Sequence, residues 1–380
     1  MTTTTKTYDV GEHPDLPPPA NISGVVGWMR GNLFSSPLNI AMTVLSAWFL
    51  WWILPPALSW FFIDAAYTGA DRNECLANAP DGACWAFVNE RLRLFTYGFY
   101  PAEHRWRVNL SFVLLALAVV PVLFDKVPHR KYGLYYAVAF PFIAAYLLLG
   151  GEFQLGDYAV GLASVPTDKF GGFMLTLVIG VTGIAFSLPI GIVLALGRMS
   201  KLPIIHISSI CFIEFIRGVP LITLLFVAST MLNYFLPPGS TFDLLLRVLI
   251  MVTLFASGYM AEVIRGGLQA IPSGQVEAAD ALGLKYWQAM RLIVLPQALK
   301  ISIPGIVNTF IGLYKDTTLV IIIGLLDPLG IGRASVADTK WAGLSTELYA
   351  FVAVFFFVSC FSMARYSLYL EGKLETGHKR

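Results

Sequence analysis

Six charged residues stand inside otherwise apolar stretches in the C-terminal part of this chain: Glu214, Arg217, Glu262, Arg265, Lys315 and Asp316. A charge at the centre of a membrane costs roughly 2.5–3.5 kcal/mol even on the lenient scale, so such residues mark function more often than scaffold. Transporters place polar groups of this kind on broken helices near the membrane midplane, where they bind the solute or the coupling ion. We therefore predict a solute pathway lined by Glu262, Lys315, Asp316, Thr317 and Thr318.

Glu262 and Arg265 also have a simpler interpretation, because residues three apart share one face of a helix. They would then form a structural ion pair near the cytoplasmic boundary, and Glu214 with Arg217 would do the same. Lys315 and Asp316 are adjacent and point to different sides of a helix, so both cannot face one neighbour. One would face the pathway and the other a sister subunit.

The composition sets the elements that must position these residues. Hydrophobic residues make up 56% of the 380 residues and charged residues 13%, which excludes an ordinary soluble domain. A spanning helix needs about 20 mostly apolar residues. The predicted fold class is an all-α polytopic membrane protein with about eight such helices, at residues 39–61, 108–124, 133–150, 172–197, 212–236, 246–264, 301–326 and 346–367.

The chain divides near residues 160–170, where Gly, Pro and Ser interrupt the apolar pattern. We predict a cytoplasmic head (residues 1–38), a three-helix extension (39–165) with a periplasmic loop (64–107), a five-helix core (166–370) and a cytoplasmic tail (371–380). Lys and Arg are more frequent in the segments that would be inside if the N-terminus is inside, which favours cytoplasmic termini. The Arg-containing loop 64–107 weakens that bias.

The seventh span suggests a depth for its polar residues. From Ile301 to Tyr314 the helix would have 14 residues, about 21 Å at 1.5 Å per residue. A hydrocarbon core of about 30 Å is then crossed only if Lys315–Thr318 lie near mid-depth.

Cys75 and Cys84 stand nine residues apart in the long loop, among Asn, Pro and Gly turn signals. A disulfide outside the inner membrane is one interpretation, and two unpaired thiols are the other.

One polar, Ala-rich segment interrupts the spans between Gly274 and Leu299, "GQVEAADALGLKYWQAMRLIVLPQAL". Ser273 is placed to cap a first short helix, and Gly283 suits the left-handed residue that ends it. A second helix is predicted from Lys285 to Leu295, limited by Pro296. A slim Ala-rich surface fits a partner's groove; the alternative, a helix resting on lipid headgroups, expects Lys and Arg where Glu277 and Asp280 stand.

The segment resembles the EAA loop of permease subunits of bacterial ABC importers. Glu277-Ala278-Ala279, Gly283, Ile293 and Leu295-Pro296 match that signature at seven positions over 20 residues. The stretches "FIRGVPLITLLF", "YMAEVIRGGLQAIPSGQ" and "YKDTTLV" resemble polar-amino-acid permeases of the HisM/GlnP type, with Thr318 where that family usually has Ser. The extra helices, with "GACWAF" and "RWRV", resemble the longer AapM/BztC-like permeases, which import general L-amino acids or glutamate, glutamine and aspartate.

The resemblance implies a MetI-like permease core in a bacterial inner membrane and several partners. These are a second homologous permease subunit that forms a heterodimer with this chain, two ATPase subunits, a periplasmic amino-acid-binding protein and an L-amino acid, together with membrane lipid and no nucleic acid. The chain contains no G-x-x-x-x-G-K-[ST] motif, so ATP and Mg would belong to the ATPase and no cofactor to this chain. The predicted ATPase-coupling residues are Glu277, Ala278, Ala279, Asp280, Leu282, Gly283, Tyr286, Trp287, Ile293, Leu295 and Pro296.

Two rival functions remain to be weighed. An ion-coupled carrier working alone would explain Glu262 and Asp316 but leaves the EAA-like loop unexplained. An intramembrane enzyme lacks its chemistry, because His206 near Ser208 and Ser209 has no third partner in the sequence pattern and no GxSxG motif or metal-spaced His cluster is present. We therefore expect a permease and not an enzyme.

Overall fold

The computed structural model describes residues 24–155, 158–231, 234, 237 and 242–374. Most of the predicted head, the end of the predicted tail and part of the fifth predicted span lie outside these residues. The described chain separates into two compact units, one formed by residues up to 67 together with 74–84, and the other by residues 68–73 and from 85 onward.

The first unit contains α1 (Gly24–Asn32) and the long helix α2 (Pro37–Leu58), which runs on into a π-turn (Ser59–Ile63). The Ser36 hydroxyl accepts from the backbone N–H of Asn39, and Pro37 takes the first helical position, where its missing N–H costs nothing. No residue of α2 is buried. Its apolar surface is therefore turned entirely outward, as a lipid-facing helix allows.

The loop that follows α2 is closed on itself. Ala66 N–H donates to the Ala83 carbonyl at 2.8 Å. Cys75 and Cys84 form a disulfide, with their Cα atoms 5.8 Å apart. Helix α3 (Arg72–Asn78) lies within this loop.

The second unit holds the remaining helices. They are α4 (Ala86–Tyr97), α5 (Arg105–Leu123), α6 (Arg130–Leu149), α7 (Gly172–Arg198), α8 (Pro203–Gly218), α9 (Leu221–Phe226), α10 (Leu244–Gln269), α11 (Ser273–Ala281), α12 (Tyr286–Ala289), α13 (Leu295–Asp316), α14 (Pro328–Val336) and α15 (Ser345–Leu374). Helices α7, α10 and α13 pack at its centre. At Gly267 a Cβ would lie 2.5 Å from the Ala298 carbonyl oxygen, so glycine lets α10 and α13 approach closely.

Seven helices of the described chain are long and apolar enough to cross a membrane, and an eighth span is possible if one bent pair is counted. The all-α membrane class and seven of the eight predicted spans are confirmed. The fifth, 212–236, is wrong as a single helix, because α8 and α9 meet at an angle of 99°. Pro220 explains the break: it disfavours helical geometry at the preceding residue, and Val219 is extended (φ −109°, ψ 132°).

A two-stranded antiparallel sheet joins α6 to α7, which the sequence did not predict. Strands β1 (Gly151–Leu155) and β2 (Tyr158–Leu162) pair with Gly151 opposite Leu162. Helix α4 packs beside α14, since Phe87 contacts Trp341 with ring centroids 5.9 Å apart and Lys340 pairs with Glu90 at 2.8 Å. Part of the long loop 64–107 is thus built into the second unit.

Candidate functional site

The polar segment after α10 forms a short helix, a sharp turn and a second helix start. Helix α11 ends at Ala281, and Gly283 takes the left-handed conformation with φ +72°. A side chain rarely adopts that φ, which gives glycine its place here. Lys285 then begins α12, with the Gln288 side chain accepting from its backbone N–H at 2.9 Å.

This bent segment presents an exposed surface. Its exposed apolar side chains include Leu282, at 78% exposure, and Tyr286 and Trp287, whose rings meet edge to face. Glu277, Ala278 and Asp280 are also exposed. An exposed group of this kind fits a binding surface for a partner, and Tyr286 and Trp287 equally fit anchoring at lipid headgroups.

The same segment also contacts the helices of the bundle. Ala279 is fully buried, and its carbonyl accepts from the Leu284 N–H at 3.1 Å. Gln297 donates to Gln275 at 3.3 Å, which links α13 to α11. The segment follows α10 directly in the chain and contacts α13 through this hydrogen bond.

Two local predictions about this segment are wrong. Ser273 does not cap α11: the helix begins at Ser273 itself, after Pro272, and shows no side-chain capping bond. Pro296 does not end the second helix, which continues from Tyr286 to Ile323 through a π-turn at Met290–Val294. Pro296 directly follows that π-turn, where the wider turn already interrupts the regular backbone hydrogen bonds of the helix. Ile293 and Leu295 lie in this continuous helix, both partly buried.

An ionic cluster lies at the same end of the bundle. The Glu262 carboxylate forms ion pairs with three arginines. Arg265 of its own helix lies 2.9 Å away, Arg198 of α7 lies 3.0 Å away and Arg217 of α8 lies 3.8 Å away. Arg198 also contacts Glu214 at 2.7 Å. This arrangement favours the structural interpretation of Glu262 and Arg265, because the carboxylate is occupied by fixed cations. Among the described residues, Glu214 therefore pairs with Arg198 and not, as predicted, with Arg217.

Lys315 and Asp316 follow Tyr314, which contacts α7 and the centre of α15, whereas the 14-residue helix predicted for this stretch is wrong. The helix that carries them is not 14 residues long, since α13 belongs to a 38-residue span. The residues that Tyr314 contacts show where this stretch lies in the bundle. A Cβ at Gly180, eight residues into the 27-residue α7, would lie 3.2 Å from the Tyr314 ring. The Tyr314 hydroxyl faces Ser359 near the centre of α15 at 3.5 Å.

The four polar residues at this level differ in what they can offer a solute. Lys315 is exposed and Asp316 half-buried, and neither side chain has a hydrogen bond within the described part of the chain. Thr317 is buried and donates its hydroxyl to the Tyr314 carbonyl at 2.8 Å. Thr318 donates to the Lys315 carbonyl at 2.9 Å and remains partly exposed. Helix α13 gives way here to a 3₁₀ segment (Thr317–Ile323), so the polar residues sit at a change of helix type.

Sequence reasoning missed Asp327, which caps α14. One carboxylate oxygen accepts from the Gly330 N–H at 2.8 Å, whereas the other is buried without a partner among the described residues. Burial raises the pKa of Asp327 to about 6. Asp followed by Pro at a helix start was the available signal.

His206 is placed by the backbone. Its Nδ1 lies 2.6 Å from the Arg198 carbonyl oxygen, which fixes the ring against the end of α7. This contact gives His206 a structural role, which explains the residue without a catalytic one.

The family model for the inner membrane component of binding-protein-dependent transport systems matches residues 187–376. An inner membrane amino-acid ABC transporter permease protein of Escherichia coli K12, YhdY, is 48% identical over 96% of this chain and 97% of its own length. This chain belongs to that family. The glutamate/glutamine/aspartate/asparagine transport system permease protein BztC of Rhodobacter capsulatus is 46% identical and covers 96% of both chains.

Family membership agrees with the resemblance carried by the EAA-like segment and does not favour an ion-coupled carrier. The matched region begins within α7 and contains the bent segment, the ionic cluster and the Lys315–Thr318 stretch. Among solved structures, an amino acid ABC transporter with histidines is 29% identical, covering 53% of this chain and 91% of that chain at a TM-score of 0.47. The family model and the two relatives that match almost the whole chain show that it is a multi-pass inner membrane permease of an ABC importer.

Proposed function

We propose that this chain imports L-amino acids, of the general or the glutamate/glutamine/aspartate type, as one permease subunit of an ATP-driven assembly. The assembly comprises a second, homologous permease subunit, two ATPase subunits that hold ATP and Mg, and a periplasmic amino-acid-binding protein. Both termini are cytoplasmic, so that α11 and α12 face the ATPase. The substrate class is supported by the names of the two relatives that match almost the whole chain.

One observation carries the proposal, namely the exposed turn at Gly283, which directly follows α10 in the chain and is linked to α13 by the Gln297–Gln275 hydrogen bond. Such a surface suits the cleft of a motor subunit, and the exposed Leu282, Tyr286 and Trp287 would fill it. Glu277 and Asp280 would meet polar groups at its rim. ATP-driven closure of the ATPase pair would then move the two spans.

The energies are sufficient for this coupling. Shifting a two-state transporter from about 1:99 to 99:1 needs on the order of 5.5 kcal/mol of differential interaction. Fully burying one large apolar side chain contributes roughly 1.5–3 kcal/mol. Three such side chains, buried differently in the two states, are enough.

For the pathway, Asp316 is the preferred partner of the substrate ammonium, with the Thr318 hydroxyl beside it. Asp316 is supported by its half-buried, unpaired carboxylate next to the 3₁₀ segment. Lys315, exposed at the same level, faces the sister subunit, where burial against a partner would remove its charge from lipid. Glu262 and Thr317 are weaker candidates, because their polar atoms are already engaged.

The test is reconstitution. The chain is purified with whatever accompanies it, and uptake of L-glutamate and L-glutamine into proteoliposomes is measured with and without ATP. ATP-dependent uptake that requires a co-purifying ATPase and second permease supports the proposal. Uptake by the chain alone, driven by a sodium or proton gradient, would replace it with the ion-coupled carrier.

A further inference from the structure

A large apolar cavity lies between α5 and α6 on one side and α7 and α10 on the other, away from the ionic cluster and the bent segment. Its volume is about 680 Å³, within the range of ligand sites in proteins. The wall is hydrocarbon, with side chains such as Leu115, Phe140, Leu177 and Leu249.

The depth of the cavity matches one leaflet of a membrane. Its lining on α7 runs from Met174 to Thr182 and on α6 from Phe140 to Leu149, which is about 12 and 14 Å at 1.5 Å per residue. Half of the hydrocarbon core is about 15 Å. Toward the α11 end, α6 and α7 meet through the rings of Phe142 and Phe186, with centroids 5.7 Å apart.

The rim is polar and carries two carboxylates. Asp168 is exposed and pairs with Lys169 at 3.4 Å. Asp243 is exposed as well, accepting from the Leu246 N–H at 2.9 Å and from the Thr167 hydroxyl. Because two carboxylates stand beside one lysine, the rim has a net negative charge, which repels an anionic lipid headgroup and attracts an ammonium group.

We propose that this cavity binds one acyl chain of a phospholipid with an amine headgroup, phosphatidylethanolamine, whose ammonium lies at Asp168 and Asp243. An amino acid does not fit, because the described residues of the lining include no Lys, Arg or His for its carboxylate. A helix of a partner subunit does not fit either, since a cylinder about 10 Å wide and 12 Å long fills on the order of 900 Å³. The lipid joins the N-terminal helices α5 and α6 to the transport core.

The test is native mass spectrometry of the permease in its purified assembly, with phosphatidylethanolamine or phosphatidylglycerol added. Ala144 lines the cavity, whereas Ala139 is exposed on the same helix and does not. We expect one tightly held phosphatidylethanolamine per chain, retention lowered at least about tenfold by Ala144→Trp, and no change with Ala139→Trp. Asp168→Asn should reduce the preference over phosphatidylglycerol about two- to fivefold.

A second matched pair covers the case in which Ala144→Trp fails to assemble. Val181 lines the cavity from α7, and Val193 is 69% exposed on that helix outside the lining. Val181→Phe should lower retention where Val193→Phe does not. Equal retention by the cavity and control variants, or equal retention of phosphatidylglycerol by the wild type, would overturn the proposal. Neither result bears on whether uptake needs ATP.

Discussion

The Arg198 guanidinium, in the last turn of α7, lies 3.0 Å from the Glu262 carboxylate on α10. Glu262 is 15% exposed at its side chain and also holds Arg265 and Arg217. One acid thus joins α7, α8 and α10 at the end of the bundle from which α11 projects. The cluster supplies a firm base for the bent segment.

Glu262→Gln should therefore destabilise the permease by about 1.5–3 kcal/mol, because three arginines lose their shared anion. Thermal unfolding in detergent measures the loss. Adding Arg198→Gln should cost less than the sum of the single changes, as expected for residues in contact.

Glu103→Gln is the control for this prediction, since the Glu103 side chain is 79% exposed and its one ion pair among the described residues is with His104 at 3.9 Å. Unchanged stability of Glu262→Gln together with abolished uptake would instead return Glu262 to the solute pathway.

Gly283→Ala should weaken coupling between ATP hydrolysis and uptake. A Cβ at Gly283 meets no atom within 4 Å, so the whole effect comes from its φ of +72°. A non-glycine residue there costs about 1–2 kcal/mol, and Gly283→Pro, whose ring cannot adopt that φ, should uncouple fully while the chain still inserts.

Gly274→Ala is the matched control, because that glycine is equally open but has no positive φ. The ratio of ATP hydrolysed to substrate imported is the measurement. If Gly283→Ala and Gly274→Ala give the same ratio as the wild type, the bent segment does not transmit force through its turn.

Asp316→Asn should lower uptake by about tenfold or more without loss of assembly, because a charged hydrogen bond contributes about 1.5–3 kcal/mol. Initial rates in proteoliposomes over a range of substrate concentrations measure it. Asp81→Asn, in the disulfide-closed loop, serves as the acid-to-amide control. Normal kinetics for Asp316→Asn would remove this residue from the pathway.

The stability of the permease should depend on pH through Asp327. Its folded pKa of about 6 lies above the ordinary value of 3.8, so the native state binds the proton more tightly. The contribution of Asp327 to stability should then be largest below about pH 4 and should fall as pH rises to about 6, by about 3 kcal/mol in total.

Asp327→Asn should abolish that slope while keeping an oxygen to accept from Gly330. Asp327→Ala should abolish the slope and also lose about 1 kcal/mol, because the α14 cap is removed. A pH slope that survives in Asp327→Asn would assign it to another group.

The sequence by itself determined the membrane class, most of the spans and the turn at Gly283. These follow from local rules: about 20 apolar residues cross a bilayer, and glycine is the residue that takes a left-handed turn. The spacing of Glu277, Gly283 and Pro296 was enough to indicate the family.

Only the tertiary structure decided how helices meet and which polar groups pair. Glu214 contacts Arg198 of α7 rather than Arg217 on its own helix, and the depth of Lys315 follows from the neighbours of Tyr314. The cavity at Asp168 and the buried carboxylate of Asp327 likewise depend on segments distant along the chain. Such contacts join residues that are far apart in the sequence and depend on how whole helices pack. A short stretch of sequence therefore does not predict them.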